Sequence, residues 1–359
     1  MHPDWQTFLL QQGALLSDGA SAGFGDQGAE RSALQGGTVL CDLSHEGLIL
    51  ASGDDAAAFL HGQFTNDVQG LSDGDAQLNG YCSPKGRLLA TFLLWHAKQG
   101  YLLQLPRELV EPTRKRLSMF VLRAKVKLED VSDQWTRAGV AGPQAESLLR
   151  GHFGGVPDRN MSTWHGGEAG KGVRIVRLSA QRFEMIGGLA VMQAAWTALA
   201  NTAGVAKAGR HAWDWLGIRA GLATVVPATQ DAFVPQMVNF ELVGGVSFRK
   251  GCYPGQEIVA RTQYRGILKR RMALAHVDGS DAPQPGEPVY SADFGDQAAG
   301  QVVNAAPAPA GGFDILVMAQ IESLRKDNLT WKTPGGPALI LQSLPYAVPF
   351  SESEELQRA

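Results

Sequence analysis

Cysteine is scarce in this 359-residue chain: there are three, Cys41, Cys82 and Cys252, far apart and with no Cys-x-x-Cys pair. That scarcity argues against a disulfide framework, and against a self-contained zinc or iron–sulfur site, which takes about four ligands. The eight histidines show no His-x-x-x-His spacing, so no resident metal is expected. No apolar run approaches the ~20 residues of a membrane span. The start, Met1-His2-Pro3-Asp4-Trp5, carries no basic, apolar leader. The expectation is a protein of the reducing cytoplasm with no membrane contact. An excess of one charge is also missing: 32 basic against 35 acidic residues leave a net charge of −3, so the chain as a whole has no polycationic surface for a phosphate backbone. What remains, 44% hydrophobic and 19% charged residues, describes a folded globular protein. Its length exceeds what one hydrophobic core serves, so two or three domains are expected.

Against this ordinary background one stretch stands out. Arg249-Lys250-Gly251-Cys252-Tyr253-Pro254-Gly255-Gln256-Glu257-Ile258-Val259-Ala260-Arg261 places a thiol, a carboxylate, a carboxamide and several cations within one short segment. Pro254-Gly255 predicts a tight turn, with proline pre-setting φ and glycine accepting a positive one. If Lys250 and Arg261 approach Cys252 in space they favour the thiolate, which is the nucleophile and metal ligand. Glu257 is the only acid between positions 249 and 271, against seven bases (Arg249, Lys250, Arg261, Arg265, Lys269, Arg270 and Arg271), and is most simply a partner for one of them. Composition leaves two readings of Cys252 open: a reactive thiol, or a small buried hydrophobe in a structural turn. The basic run is likewise either a solvated face or a local nucleic-acid contact.

Along the chain, residues 5–16 have a helical flavour, and Ser17 to Gly37, rich in Gly, Ala, Ser and Asp, reads as a mobile connection. Val39 to Ala51 reads as strand. Ser52 and Asp55 form a helix-start pair for a helix through Ala56, Phe59, Leu60 and Phe64 that ends near Asn66-Asp67-Val68. Gly80-Tyr81-Cys82-Ser83-Pro84-Lys85-Gly86-Arg87 is a second polar turn. It feeds a strand from Leu88 to Trp95, and a hairpin at Ala97-Lys98-Gln99-Gly100 returns as Tyr101 to Leu105. A helix between Pro106 and Val121 and an edge strand at Lys125 to Glu129 follow. Strands are expected at Val173 to Leu178 and Phe183 to Ile186. A helix at Leu189 to Leu199 should bury Leu189, Met192, Ala195, Trp196 and Leu199, and a short helix with two indoles should cover His211 to Gly221. Beyond Ile267, short apolar runs (272–277, 300–303, 315–321 and 338–341) alternate with Pro/Gly loops, the texture of a small all-β barrel or sandwich. The tail from Ser351 is polar and expected to fray.

Lys250-Gly251-Cys252-Tyr253-x-Gly255-Gln256-Glu257-x-x-Ala260-Arg261 resembles the signature of the YgfZ-type folate-binding proteins, relatives of the glycine-cleavage T-protein (aminomethyltransferase). The stretch from Gly53 to Val68, with Phe59-Leu60-x-Gly62-Gln63-x-Thr65-Asn66-Asp67-Val68 at its end, is similar to the same family. The resemblance implies an α+β fold: a three-part T-protein-like ring with a central folate cavity and a C-terminal small β-barrel. It divides the chain into an N-terminal helix and flexible connection (1–37), a T-protein-like folate-binding region of two α+β subdomains (38–266), the β-barrel (267–346) and a polar tail (347–359). It also implies tetrahydrofolate or another reduced folate as cofactor. Trp213 matches a folate-contacting tryptophan, whose indole face suits a flat pterin or aminobenzoyl ring. Asn66, Asn239 and Gln256 are candidate partners for a pterin edge, and Arg261 or Lys250 for the glutamyl carboxylates.

Two departures from the T-protein bear on activity. Its paired aspartates fall on Ala90 and Thr91, and its helix glutamate falls on Arg219, so no carboxylate is left there for the proton of methylene transfer. Where some YgfZ-type members have a second tryptophan, this chain has Glu46. The function expected from the resemblance is a non-catalytic auxiliary protein. It would support iron–sulfur cluster assembly or repair, and thereby cluster-dependent tRNA modification, through the turn at Lys250-Gly251-Cys252-Tyr253, with Cys252, Lys250 and Glu257 as working residues. Its partners would be iron–sulfur assembly proteins or cluster-containing tRNA-modifying enzymes, with direct tRNA contact a weaker alternative. The rival activity is a tetrahydrofolate-dependent one-carbon transferase or demethylase with Cys252 as nucleophile.

Overall fold

In the computed structural model, which describes residues 1–17, 19–166, 172–264 and 268–349, alternating strands and helices build two interleaved units. The first comprises Met1–Phe59, Gln69–Gln77 and Leu93–Trp213; the second comprises Leu60–Val68, Leu78–Phe92 and the chain from Asp214 onward.

The first unit is organised on a six-stranded sheet, in the order Ser162–Gly166, Val173–Ser179, Arg182–Gly187, Thr136–Ala141, Thr38–Asp42, Val205–Ala208. All neighbours are antiparallel except the last pair, which is parallel. The helix Leu189–Ala200 buries Met192, Ala195, Trp196 and Leu199, the stripe its three- and four-residue spacing predicts, with Leu189 packed at the margin. The N-terminal helix Pro3–Gln11 adds Trp5 and Leu9 to the same core, with proline in its first turn. The Trp5 ring meets Trp196 edge-on at 5.6 Å, and its N–H donates to Asp42 at 2.9 Å.

The glycine-rich stretch after residue 17 is not the open connection that its composition suggested. It forms a hairpin (Leu15–Ser17 with Ala20–Gly23) and the helix Gln27–Gly36, which Asp26 caps by accepting the amide of Ala29 at 2.9 Å. The small residues permit close backbone packing: a Cβ on Gly209 would stand 2.2 Å from the carbonyl oxygen of Ala22.

The run from Val39 to Ala51 also divides. Asp42 turns back to accept the Ser44 hydroxyl at 2.7 Å, which ends one strand and starts the next, Glu46–Ser52. That second strand lies between Gly100–Pro106 and Lys127–Asp130, both antiparallel to it. The helix through Ala56 stops at His61, well short of Asn66-Asp67.

In the second unit the C-terminal part is a curled antiparallel sheet, in the order Leu329–Trp331, Pro288–Ser291, Gly300–Pro307, Phe313–Gln320, Arg270–Val277, Ile340–Gln342. Residues 337–339 hydrogen-bond to 329–331, and 340–342 pair with 274–276, so one segment serves both edges. Its core holds Val289, Val302, Ile315, Val317 and Trp331. Positions 350–359, which include the tail from Ser351 that was expected to fray, lie outside the described residues, as does Arg265.

Candidate functional site

In the second unit the two polar turns read from the sequence pack against each other. Gly255 adopts φ +79°, as its place after Pro254 requires, and a Cβ on it would stand 2.4 Å from the Ser83 carbonyl oxygen and 2.5 Å from the Gly86 nitrogen. Gly86, at φ +67°, is equally constrained: its Cβ would meet Ile258 at 2.8 Å. Ser83 is tied in turn by its hydroxyl to Asp231 at 2.7 Å.

The Lys250 side chain turns inward, away from the role its sequence position suggests. It is 8% exposed, and its ammonium donates to the carbonyl oxygens of Phe64, at 2.6 Å, and His61. These carbonyls lie at and beyond the end of the helix Ala56–His61, where the last carbonyls lack intrahelical partners and a cation is favoured. Burial brings the Lys250 pKa down to about 8 despite the nearby charges of Asp67 and Cys252, and its ammonium stands 4.8 Å over the Tyr253 ring. Tyr253 is buried, and burial raises its phenol's pKa.

Between these two anchored side chains Gly251 and Cys252 are exposed. Cys252 is the one exposed cysteine of the three; Cys41 and Cys82 are buried, and burial with Asp231 nearby pushes the Cys82 thiol up to about 12. The helix Gln256–Tyr264 begins directly after the turn, with Gln256 half-buried and Glu257 exposed in its first turn, where a carboxylate complements the helix dipole. Arg261 is exposed on the same helix.

The two asparagines proposed for a pterin edge have backbone partners. Asn66 donates to the carbonyls of Leu78 at 2.9 Å and Gly244 at 2.7 Å and accepts the Asp67 amide at 2.9 Å. Asn239, fully buried at φ +57°, donates to the Met272 carbonyl at 2.9 Å. Arg219, at the position of the T-protein glutamate, bonds Gln342 and lies 3.6 Å from Asp314.

Trp213 belongs to the first unit, where it is 4% exposed. Gly139 makes room for its ring, since a Cβ there would stand 2.4 Å from it, and the Arg182 guanidinium lies 4.1 Å from the ring centroid. Arg182 also influences a residue that the sequence reading passed over, Glu184. This carboxylate is buried on the strand Arg182–Gly187, and its pKa is raised by burial against the opposing effects of Gln104, Arg182 and Arg137. Gln104 donates to it at 2.8 Å, while the amide oxygen of Gln104 is buried without a hydrogen-bond partner among the described residues. The available signal was an acid inside the apolar run Phe183-Glu184-Met185-Ile186. Arg137, buried with its pKa brought down to about 10 by desolvation, donates to the backbone carbonyl of Glu46, at 2.6 Å.

Among the described residues no group of three or more His, Cys, Asp or Glu is placed to hold a metal ion, and no helix is long and apolar enough to cross a membrane.

Comparison with known proteins agrees with this geometry. Residues 19–244 match the GCVT N-terminal domain family. The chain is 34% identical over 250 residues to the tRNA-modifying protein YgfZ of Vibrio vulnificus, covering 69% of this chain and 72% of that one. It is 32% identical over 235 residues to that of Colwellia psychrerythraea, covering 66% and 70%. With that of Serratia proteamaculans the match is 28% over 312 residues, 86% of this chain and 93% of the other. In fold it is similar to the aminomethyltransferase T of the glycine cleavage system from Bartonella henselae, with a TM-score of 0.79 over 98% of both chains at 15% identity. The chain therefore belongs to the YgfZ-type branch of the family that carries the GCVT N-terminal domain.

Proposed function

We propose that this protein is a folate-binding auxiliary factor for tRNA modification that supports the assembly or repair of iron–sulfur clusters, with Cys252 as its working thiol. The observation that carries the reading is the exposed Cys252 on a turn anchored on both sides, by buried Lys250 and by Tyr253. Relatives named tRNA-modifying proteins support the client class, and tRNA-modifying enzymes that contain clusters are the proposed partners. A single thiolate does not hold a cluster by itself, so the site is shared with a partner or a small thiol while the cluster is handled. Replacing Cys252 with alanine should abolish support of cluster-dependent tRNA methylthiolation under oxidative stress while the thermal transition stays in place. Full client activity in the Cys252→Ala strain would sink the assignment.

The residues of the first unit fit a reduced folate. A pterin carries amino and ring N–H donors on one edge, and the Glu184 carboxylate and the unpartnered amide oxygen of Gln104 are buried acceptors. Trp213 supplies apolar ring surface, and Arg182 a cation beside it. A bound folate would bring one-carbon chemistry; these side chains bind and orient. Anaerobic titration with tetrahydrofolate should raise the thermal midpoint, by about 2.7 kcal/mol of stabilisation at a hundred times the dissociation constant. The affinity should fall in Trp213→Phe and in Glu184→Gln. No binding at millimolar ligand would remove folate from the reading.

A further inference from the structure

The cationic run at 249–271, which the sequence leaves open between a solvated face and a nucleic-acid contact, is sorted by the fold into two groups. Lys250 and Arg271 turn inward, the first onto the carbonyls of His61 and Phe64, the second onto Glu241 and the Gln236 carbonyl. Arg249 and Arg261 stay outside and form no ion pair among the described residues. A third exposed cation, Lys85, joins them from the turn 83–87. That turn packs on the start of the helix Gln256–Tyr264, Gly86 against Ile258 and Gly255 against Ser83, and Lys85 likewise has no acidic partner among the described residues. Two acids bonded to these segments are already taken: Asp231 accepts the Ser83 hydroxyl, and Glu241 pairs with Arg271. The single acid on the helix is Glu257. The same helix ends in an aromatic ring set out in solvent. Tyr264 is 63% exposed, one turn beyond Arg261. Phe248, the neighbour of Arg249, braces that ring at 6.0 Å between centroids and 72° between planes.

We infer that this face binds single-stranded or loop RNA directly, with phosphates on Lys85, Arg249 and Arg261 and an unstacked base on Tyr264. A chain with a net charge of −3 has no general attraction for a phosphate backbone, but three unpaired cations on one face supply it locally. The composition of the face favours RNA over an acidic protein. A stable protein interface has a desolvated apolar centre from which charges are depleted. Here Ile258 and Tyr264 are the large exposed apolar side chains of the helix, and the Arg261 cation stands between them in sequence. Cations that track a backbone, with an aromatic ring among them for a base, are the pattern of single-strand binding. A duplex offers the ring no free base, so the matching segment is a loop or an unpaired stretch. The inference rests on the proposed role in tRNA modification only in taking tRNA as that RNA. It adds a direct contact where the proposed function calls for partner proteins.

The test is fluorescence anisotropy of the full-length protein with two labelled probes, an unmodified tRNA transcript and a single-stranded oligoribonucleotide, against a duplex RNA of the same length. Both single-stranded regions should bind saturably and the duplex more weakly. The logarithm of the association constant should fall with the logarithm of salt at a slope of about −2, the value for three phosphates of a single strand. Lys85→Gln, Arg249→Gln and Arg261→Gln should each flatten that slope by about 0.7. Tyr264→Ala should weaken binding about tenfold at an unchanged slope, while Tyr264→Phe keeps the affinity. All of these side chains are exposed or partly exposed, and circular dichroism of each variant checks that the fold is kept. No saturation up to about 100 µM protein at low salt, the weak limit of non-specific binding, overturns the inference. So does a slope that none of the three cation variants changes, and so does displacement of the oligoribonucleotide by polyglutamate at equal charge, which would mark the face as a site for acidic protein. Binding is read here without any cluster chemistry. A protein that binds no RNA yet needs Cys252 for its clients therefore overturns this inference alone, and RNA binding by one whose Cys252→Ala variant still supports its clients removes the proposed function instead.

Discussion

Lys250 shows how a side chain can be noticed for one reason and placed for another. In the sequence it is a cation two positions before a thiol. In the structure it is a buried tie to two backbone carbonyls, 186 and 189 positions away, and only through that tie does it set where Cys252 stands. No local pattern carries a contact of that range, so its target was not legible. Its replacement by methionine keeps the length of the stem and deletes the donor. The carbonyls of His61 and Phe64 then lose their partner, at a cost of about 1–3 kcal/mol. Urea unfolding should show this as a lower midpoint with an unchanged slope. Undiminished stability would mean that water replaces the ammonium and that the tie is incidental. Cys252 was legible as the residue of interest; its exposure, which separates it from Cys41 and Cys82, was not, because free cysteine is more often buried.

The turn at Pro254-Gly255 was read correctly, and of the turn read at 80–87 the part 83–87 is a turn while 80–82 end the strand Ala76–Cys82, since proline and glycine announce themselves locally and strand ends do not. That they pack against each other was invisible, although both glycines were in plain view. Gly255→Ala should be among the more damaging single changes in the second unit. It forces a residue with a side chain to φ +79° and drives its Cβ onto the carbonyl of Ser83. The expected result is a loss of about 1–3 kcal/mol in thermal or chemical unfolding, together with altered Cys252 alkylation, because the turn that presents the thiol must shift. Gly251→Ala, with 3.6 Å of room, is the control and should leave stability nearly unchanged. The helix from Ala56 teaches the same lesson in reverse. Its apolar spacing continues to Phe64, but the helix ends at His61, and a lysine from a distant segment binds the carbonyls of His61 and Phe64.

Several buried acids of the second unit predict how the protein meets alkali. Burial pushes Cys82 from 9.0 to about 12, Tyr346 from 10.0 to about 12, and Tyr253 upward as well. Between about pH 9 and 12 the unfolded chain loses these protons while the folded chain keeps them, so stability falls as pH rises. Lys250, lowered from 10.5 to about 8, works the other way: between those values the unfolded chain holds the extra proton and folding gains with pH. Between about pH 9 and 10 Lys250 offsets Cys82; above about pH 10 the two tyrosines join Cys82 and leave a net loss, which should appear as a falling urea midpoint. Cys82→Ala should flatten the beginning of that fall, and a flat profile to pH 11 would show that these groups do ionise in place.

The α+β class, the strands and helices between Leu88 and Glu129 and between Val173 and Leu199, the all-β texture of the C-terminal part and the identity of the cysteine turn are determined by the sequence itself; the strands Thr136–Ala141 and Ser162–Gly166 and the helix Ala145–Phe153 were not read from it. Periodicity, proline and glycine placement and short motifs are local properties, and local physics suffices to read them. Tertiary structure alone decided that the stretch after residue 17 folds into a hairpin and helix, that Glu184 lies buried beside Gln104, that Lys250 is buried against the carbonyls of His61 and Phe64, and that the His61 ring comes beside Gly251. Each of these depends on packing or hydrogen bonds between segments distant in the chain. The residues at either end of such a contact carry no sign of their partner until the core between them has formed.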